Sequence, residues 1–174
     1  MNCAEVTIRQ LYPADGALYR DIRLEALRLA PEAFGSTFAA ENSEALVWFE
    51  SRLGRSAVFG ACAGGDLLGI AGFVVRPGEK QAHKGVLVGM YVRPSARNLG
   101  LGRRLVETVI DHAKGHVEIL QLSVVVGNKP ARRLYKRLGF VEYGIEKRAL
   151  KADGRYWDEV LMAKSLAPEE TTSP

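Results

Sequence analysis

The chain has 174 residues, one domain's worth, and length enough to bury a substantial core. Charged residues make up 25% and the hydrophobic set 47%, which is globular usage rather than disorder. No apolar run approaches the ~18 residues of a spanning helix, and the start lacks a basic segment leading into an apolar one, so no membrane and a cytoplasmic location are expected.

Residues 6–11 alternate like a short strand. Pro13-Ala14-Asp15-Gly16 is turn chemistry with Asp15 as a helix cap, after which Leu18, Ile22, Ala26 and Leu29 recur at helical spacing until Pro31. Residues 32–42 have no clear period. Ser43 then has the chemistry to cap a helix running to Leu53 and closed by Gly54. Two strands, 57–61 and 67–75, flank the tight turn Gly64-Gly65-Asp66, and a third covers 86–92.

From Leu101 the apolar positions Leu105, Val106, Val109, Ile110 and Ala113 form an amphipathic helix that stops at Gly115. A strand follows at 119–126. Asn128 has the right chemistry to cap the next helix, with Pro130 in its first turn and Gly139 closing it. A final strand pair, 141–150 and 157–166, surrounds Asp153-Gly154. With no internal repeat and no linker, residues 1–166 read as a single α/β domain, and 167–174 as a flexible tail.

Cys3 and Cys62 are too few for a disulfide framework and too far apart for a redox pair, so they read as free thiols. His112 and His116 have the spacing of a zinc pair. No third ligand is near and Gly115 lies between them, so a solvated helix terminus is expected and no metal.

The net charge of +4 is unevenly placed. Residues 84–106 and 119–141 each carry five cations and no acid, leaving 14 basic and 20 acidic residues elsewhere. A basic centre suits a polyanion, either a phosphorylated cofactor or nucleic acid. Nucleic acid is the poorer fit, because Tyr135 is the only aromatic among the second window's cations.

The chemistry is concentrated in Val92-Arg93-Pro94-Ser95-Ala96-Arg97-Asn98-Leu99-Gly100-Leu101-Gly102-Arg103-Arg104, where a strand turns straight into a helix. Helix N-termini leave backbone N–H groups unpaired and carry partial positive charge, so they accept anions. Gly100 and Gly102 clear side chains from that approach, and Arg97, Arg103 and Arg104 add positive charge. A Walker loop is excluded because no Gly-Lys-Ser/Thr follows. The dinucleotide fingerprint fails because Leu105 stands where its third glycine belongs.

Arg97-x-x-Gly100-x-Gly102 between strand and helix resembles motif A of the GNAT N-acetyltransferases. Asn128 opening a helix, Tyr135 seven residues on and Gly139-Phe140 closing it resemble that family's motif B. The resemblance implies a mixed, largely antiparallel central sheet of about seven strands flanked by about four helices. It implies that backbone amides of Arg97, Asn98, Leu99, Gly100, Leu101, Gly102 and Arg103 hold the pyrophosphate of acetyl-CoA. Met90, Tyr91 and Val92 would pair with the pantetheine arm, and Asn128 would touch the cofactor as well as cap its helix.

The implied reaction is direct attack of an amine on the thioester, with Tyr135 protonating or hydrogen-bonding the departing thiolate and no role for Cys62. In some relatives a glutamate acts as base at the position that Ser123 occupies here, and a serine cannot serve. His83, Glu41 and Glu44 remain as candidates, each with an ordinary surface role open, and no base is assigned. Residues 31–54 would shape the acceptor pocket, with Phe34, Phe38, Trp48 and Phe49 to line it and Glu32, Glu41, Glu44 and Glu50 to draw a cation. Tyr156 and Trp157 would border it. The acceptor stays open among small amines, amino acids and protein N-termini. A homodimer is compatible, and a non-catalytic acyl-CoA-binding module is the rival reading.

Overall fold

Seven strands form one sheet in the order β1-β2-β3-β4-β5-β7-β6 in a computed structural model that describes residues 5–167. Cys3 and all but the first residue of the expected tail lie outside the described residues. Strands β1 (Thr7–Leu11), β2 (Ala57–Ala63), β3 (Asp66–Val75) and β4 (Lys84–Val92) make an antiparallel half. The other half is β5 (Ile119–Val125), β7 (Arg155–Ser165) and β6 (Val141–Ala152), also antiparallel. Among the described residues only the junction between β4 and β5 is parallel, so the sheet is mixed and largely antiparallel, as expected.

Five α-helices cover the sheet: α1 (Gly16–Leu29), α2 (Phe38–Asn42), α3 (Leu46–Arg55), α4 (Leu101–Lys114) and α5 (Lys129–Arg137). On one face, the apolar stripe of α4 from Leu101 to Ala113 is buried against Phe59, Ala71, Phe73, Leu87, Leu120, Leu122 and Val160. On the other face, α1 and α3 press Ile22, Leu27, Phe49 and Leu53 onto Val58, Leu67 and Ile70. Each fully buried aliphatic side chain of these two cores contributes about 1.5–3 kcal/mol.

The segment before β2 departs from expectation. One helix starting at Ser43 was expected; two form instead, and Ser43 ends the first of them, donating its hydroxyl to the Ala40 carbonyl at 2.8 Å. Thr37 is the true cap, accepting from the Ala40 N–H at 3.2 Å, and the second helix starts from Ala45 without a side-chain cap. Asp15 also caps differently. Its carboxylate accepts from the Tyr12 N–H at 2.9 Å and from the Arg9 guanidinium, tying the end of β1 to the turn that precedes α1. His112 is not a solvated terminus: its ring packs edge-on against Phe59 and Phe73, and burial lowers its pKa.

Candidate active site

The site begins as a fault in the sheet. Lys84, Gly85 and Val86 pair with Ile119, Leu120 and Gln121, and there the ladder stops. From Leu87 onward β4 pairs only with β3, and from Leu122 onward β5 pairs only with β7. Further along β4, beyond Val88, the register between β3 and β4 jumps: Ala71 faces both Gly89 and Met90. Gly89 has φ 63°, a left-handed conformation that glycine adopts without a Cβ clash. Such a bulge bends its strand and increases local twist, which swings β4 away from β5. The result is a strand edge whose N–H and C=O groups face open space inside the protein.

A cleft of about 510 Å³ follows this gap. Its floor is Val86, Val88, Gly89 and Met90 from β4 and Ser123, Val124 and Val125 from β5. Asn128, Ala131 and Tyr135 of α5 close one side, and Phe34, Ser36, Glu41, Trp48 and Arg52 close the other.

At the far end of β4 the chain reaches Gly100, which caps α4 with φ 73°, while Asn98 holds φ 64°. The backbone N–H groups of residues 98–103 make no hydrogen bond with the described residues, since the first intrahelical bond of α4 is donated by Arg104 to Gly100 O at 3.2 Å. A row of free amides at a helix N-terminus fits a pyrophosphate, and an unpaired strand edge fits a pantetheine arm with its two amides. Acetyl-CoA therefore fits the residues present.

The three arginines do not share this task equally. Arg97 is exposed and folds back to the Val92 carbonyl at 3.3 Å. Arg103 pairs with Glu107 one turn on, at 2.7 Å. Arg104 is turned away from the turn and donates to Val6 O at 2.8 Å. Arg93 is held by Glu25 and Asp21 of α1, and Arg132 and Lys136 share Glu142. Four of the ten cations in the basic windows, Arg93, Arg103, Arg132 and Lys136, are thus paired with acids of this chain, which interrupts the continuous phosphate footprint that nucleic acid would need.

Tyr135 is buried at 5% exposure, its ring edge-on to Phe140, and no described residue hydrogen-bonds its hydroxyl. Burial pushes the phenol above its ordinary pKa. Asn128 Oδ1 accepts from the Ala131 N–H at 3.2 Å, which is the expected cap. Met90 lines the cleft, and its Sγ-methyl end would lie 3.2 Å from a Cβ at Gly102, so the helix start sits directly on β4. The Tyr91 side chain points into the opposite core and donates its hydroxyl to Glu25 at 3.0 Å, leaving only its backbone at the gap. Val92 packs against the α4 core in the same way.

Glu41 is the main surprise. The sequence left it as a surface glutamate or a base, and it is neither: it is 3% exposed and gripped side-on by Nη2 and Nε of Arg23 at 2.7 and 2.9 Å. Arg52 adds a longer contact at 3.3 Å. Desolvation alone would raise this carboxyl, but hydrogen bonds from Arg23 and Ser36 and the charges of Arg23 and Arg52 outweigh it and hold the pKa below its ordinary value. A carboxylate so stabilised is a poor proton acceptor.

His83, Glu44 and Glu32 lie away from the cleft lining. Phe34 and Trp48 line the cleft as expected, whereas Phe49 is fully buried in the core and Phe38 packs beside it. Tyr156 faces Arg148 and Lys151 outside the cleft lining. Cys62 sits on β2 near Arg9, away from the cleft, with its thiol pushed up by burial. Sequence reading missed Arg23 and Arg52, because arginines on ordinary amphipathic helices carry no local signal of what they meet across the fold.

Comparison with known proteins agrees with this construction. The profile of the Acetyltransferase (GNAT) family matches residues 23–140. L-amino acid N-acetyltransferase AaaT of Escherichia coli is 26% identical over 165 residues, covering 92% of this chain and 98% of that protein. The L-methionine sulfoximine/L-methionine sulfone acetyltransferase of Pseudomonas aeruginosa is 27% identical over 155 residues, covering 82% and 88%. The yncA acetyltransferase of Salmonella typhimurium, solved with its cofactor acetyl-CoA, superposes with a TM-score of 0.79 at 25% identity over 98% of each chain. The gap between two parallel strands, the bare amides at its end and the matched sequence are parts of one design: the chain belongs to the GNAT family of acetyltransferases, and it moves an acetyl group from acetyl-CoA to an amine.

Proposed function

We propose that the acceptor is a small molecule of amino-acid type, whose carboxylate is held by Arg52 and whose amine faces the β4–β5 gap. The observation that carries this reading is the unequal use of the two cleft arginines. Arg23 is buried, gives Nε and Nη2 to Glu41, and is stacked on Phe34 at 4.9 Å. Arg52 rests on the Trp48 ring at 4.8 Å, makes only the 3.3 Å ion pair among the described residues, and keeps 38% of its side chain exposed. A guanidinium fixed on an aromatic face with donors to spare suits a planar carboxylate. The two relatives named for amino acids or their analogues support the same class.

In this reading the amides of residues 98–103 hold the pyrophosphate, without that of Arg97, which donates to the Pro94 carbonyl at 3.4 Å, and Met90, Tyr91 and Val92 offer main-chain groups to the pantetheine arm. Acetyl-CoA supplies the activated thioester. Asn128, whose Oδ1 is used by its cap, has its amide N–H groups left for the same ligand. Tyr135 faces the gap from the α4 side of the sheet. Its raised pKa makes it a hydrogen-bond donor to the leaving sulfur rather than a source of a free proton. The reaction is set in the cytoplasm, and the Cys62 thiol, free among the described residues, suits a reducing compartment.

Thiol release from acetyl-CoA, followed across amino acids, their amides, amines without carboxylate and a short peptide, tests the acceptor. Amino acids are expected to turn over and their amides to react poorly. Equal rates for acid and amide, or turnover confined to the peptide, would overturn the reading. Arg52→Met should raise KM for the carboxylate acceptor about 10–100-fold, the worth of a charged hydrogen bond, and leave KM for acetyl-CoA unchanged.

Tyr135→Phe should bind acetyl-CoA normally and lower kcat about 10–100-fold. Because the Tyr135 pKa is raised, the phenol stays protonated past its ordinary range. The wild-type rate should therefore show no alkaline decline below about pH 10, the usual phenol value. A steady-state pH profile checks both the variant and the limb.

A further inference from the structure

We propose that Glu159, on β7, is the carboxylate that takes the proton from the acceptor amine. Ser123 leaves the site without a base on β5, and Glu41 is locked to Arg23. Strand parity then selects the next group. Val160 and Met162 are buried on the α4 face, so Glu159 and Leu161 point to the opposite face, which α1–α3 cover at the other half of the sheet. Glu159 pairs with Val125 and Leu161 with Ser123, which places Glu159 diagonally across from Ser123 on the same surface. Diagonal neighbours lie ~7–8 Å apart, within reach of a long side chain.

Glu159 is half-buried and lines the cleft. No cation among the described residues pairs with it: Lys147 is taken by Asp158 at 2.8 Å. The groups facing it are few. From β5 come Ser123 and Val125, which are uncharged. From β6 comes Glu146, directly opposite in the register, and across the cleft stand Arg52 and the closed Arg23–Glu41 pair. Like charges directly opposite on adjacent strands are destabilising. Such a pair is unexplained by folding, and an ammonium group beside it would relieve the repulsion. Tyr135 approaches the gap from the α4 side, so proton removal and thiolate stabilisation fall on opposite sides of the sheet.

The step balances without further reagents. The acceptor ammonium gives one proton to Glu159, directly or through one water. The freed nitrogen lone pair forms the C–N bond at the thioester carbon, the C–S bond breaks, and the sulfur leaves as thiolate. The second nitrogen proton passes to that thiolate, giving CoASH, and Glu159 returns its proton to water. This inference needs only an amine acceptor, so it is measured with whichever amine the wild type acetylates and fails separately from the amino-acid reading.

The test is the pH profile of Glu159→Gln against wild type, with the protein and acetyl-CoA. At about pH 7 kcat/KM should fall about 10²-fold. The deficit should shrink about tenfold per pH unit towards the amine's own pKa, because the variant depends on amine that is already neutral. KM for acetyl-CoA should not move, and the melting temperature should hold or rise as the repulsion with Glu146 is lost. Glu159→Asp, which keeps the carboxylate, should restore the wild-type shape of the profile at a lower rate. Wild-type kcat/KM in Glu159→Gln, a profile parallel to wild type, or the same steep profile in Glu159→Asp would each overturn the assignment.

Discussion

Gly100→Glu should abolish acetyl-CoA binding while the protein stays folded. Gly100 caps α4 at φ 73°, and a Cβ built there meets nothing within 4 Å. The new side chain is therefore not squeezed by the protein, and the backbone strain of a left-handed residue amounts to about 1–2 kcal/mol. In the reading proposed above, what it meets is the diphosphate of the ligand. A carboxylate ~4 Å from a phosphate near a protein surface is repelled by up to about 4 kcal/mol. At ~1.4 kcal/mol per decade, that weakens binding towards 10³-fold.

Titration of acetyl-CoA by calorimetry, or a loss of the melting shift that the ligand gives wild type, measures this directly. Gly100→Asn separates charge from strain, since asparagine tolerates the left-handed region and adds no charge. It should keep most of the affinity. Wild-type affinity in Gly100→Glu would mean that the diphosphate is bound elsewhere and that the free amides of residues 98–103 have another purpose.

The second large effect is on stability. Glu41→Ala should cost about 3–5 kcal/mol, because it leaves the Arg23 guanidinium buried with no opposite charge. Arg23 has 6% and Glu41 4% of the side chain exposed, so water cannot replace the lost partner. Chemical denaturation should show the midpoint moving at constant slope. A double replacement, Arg23→Met with Glu41→Leu, should recover much of the loss, since removing both charges removes the unpaired one as well.

The pair also makes stability depend on pH in a defined direction. Glu41 has a lower pKa folded than unfolded, so its contribution is complete above its unfolded value of about 4.5 and is lost as pH falls through the folded value. Wild type should therefore lose stability on the acid side more steeply than Glu41→Ala. Loss of Glu41 also frees Arg23 and Arg52 in the cleft, so any folded fraction of the variant should bind its acceptor differently while acetyl-CoA affinity is retained. A melting temperature unmoved by Glu41→Ala would show that the ion pair contributes no net stability.

Elements built from neighbours are legible in the sequence alone. The stripe from Leu101 to Ala113 specified α4, Asn128 and Pro130 specified the start of α5, and Gly64-Gly65 specified the β2–β3 turn, because helical period, caps and positive-φ residues act over a few positions. The turn between β4 and α4 was legible for the same reason: strand, two glycines and helix are consecutive, so it is written in one short run. Where local signals competed the reading failed. Ser43 could have started one helix, and in the folded chain it ends another, because Thr37 takes the capping role and the apolar positions of α3 are set by packing on α1.

The sequence by itself therefore determined the family, the strand–glycine–helix turn before α4 and the start of the helix that carries Tyr135. Only the tertiary structure decided what Glu41, Arg52 and Glu159 face. Glu41 became the partner of a buried arginine 18 residues away, Arg52 gained an aromatic bed and spare donors, and Glu159 came into the cleft lining beside Val125 through β7's register with β5. The physical reason is range. Backbone geometry is governed by interactions among adjacent residues, whereas the burial, pairing and free valence of a charge depend on segments distant in the chain that meet only when the sheet closes.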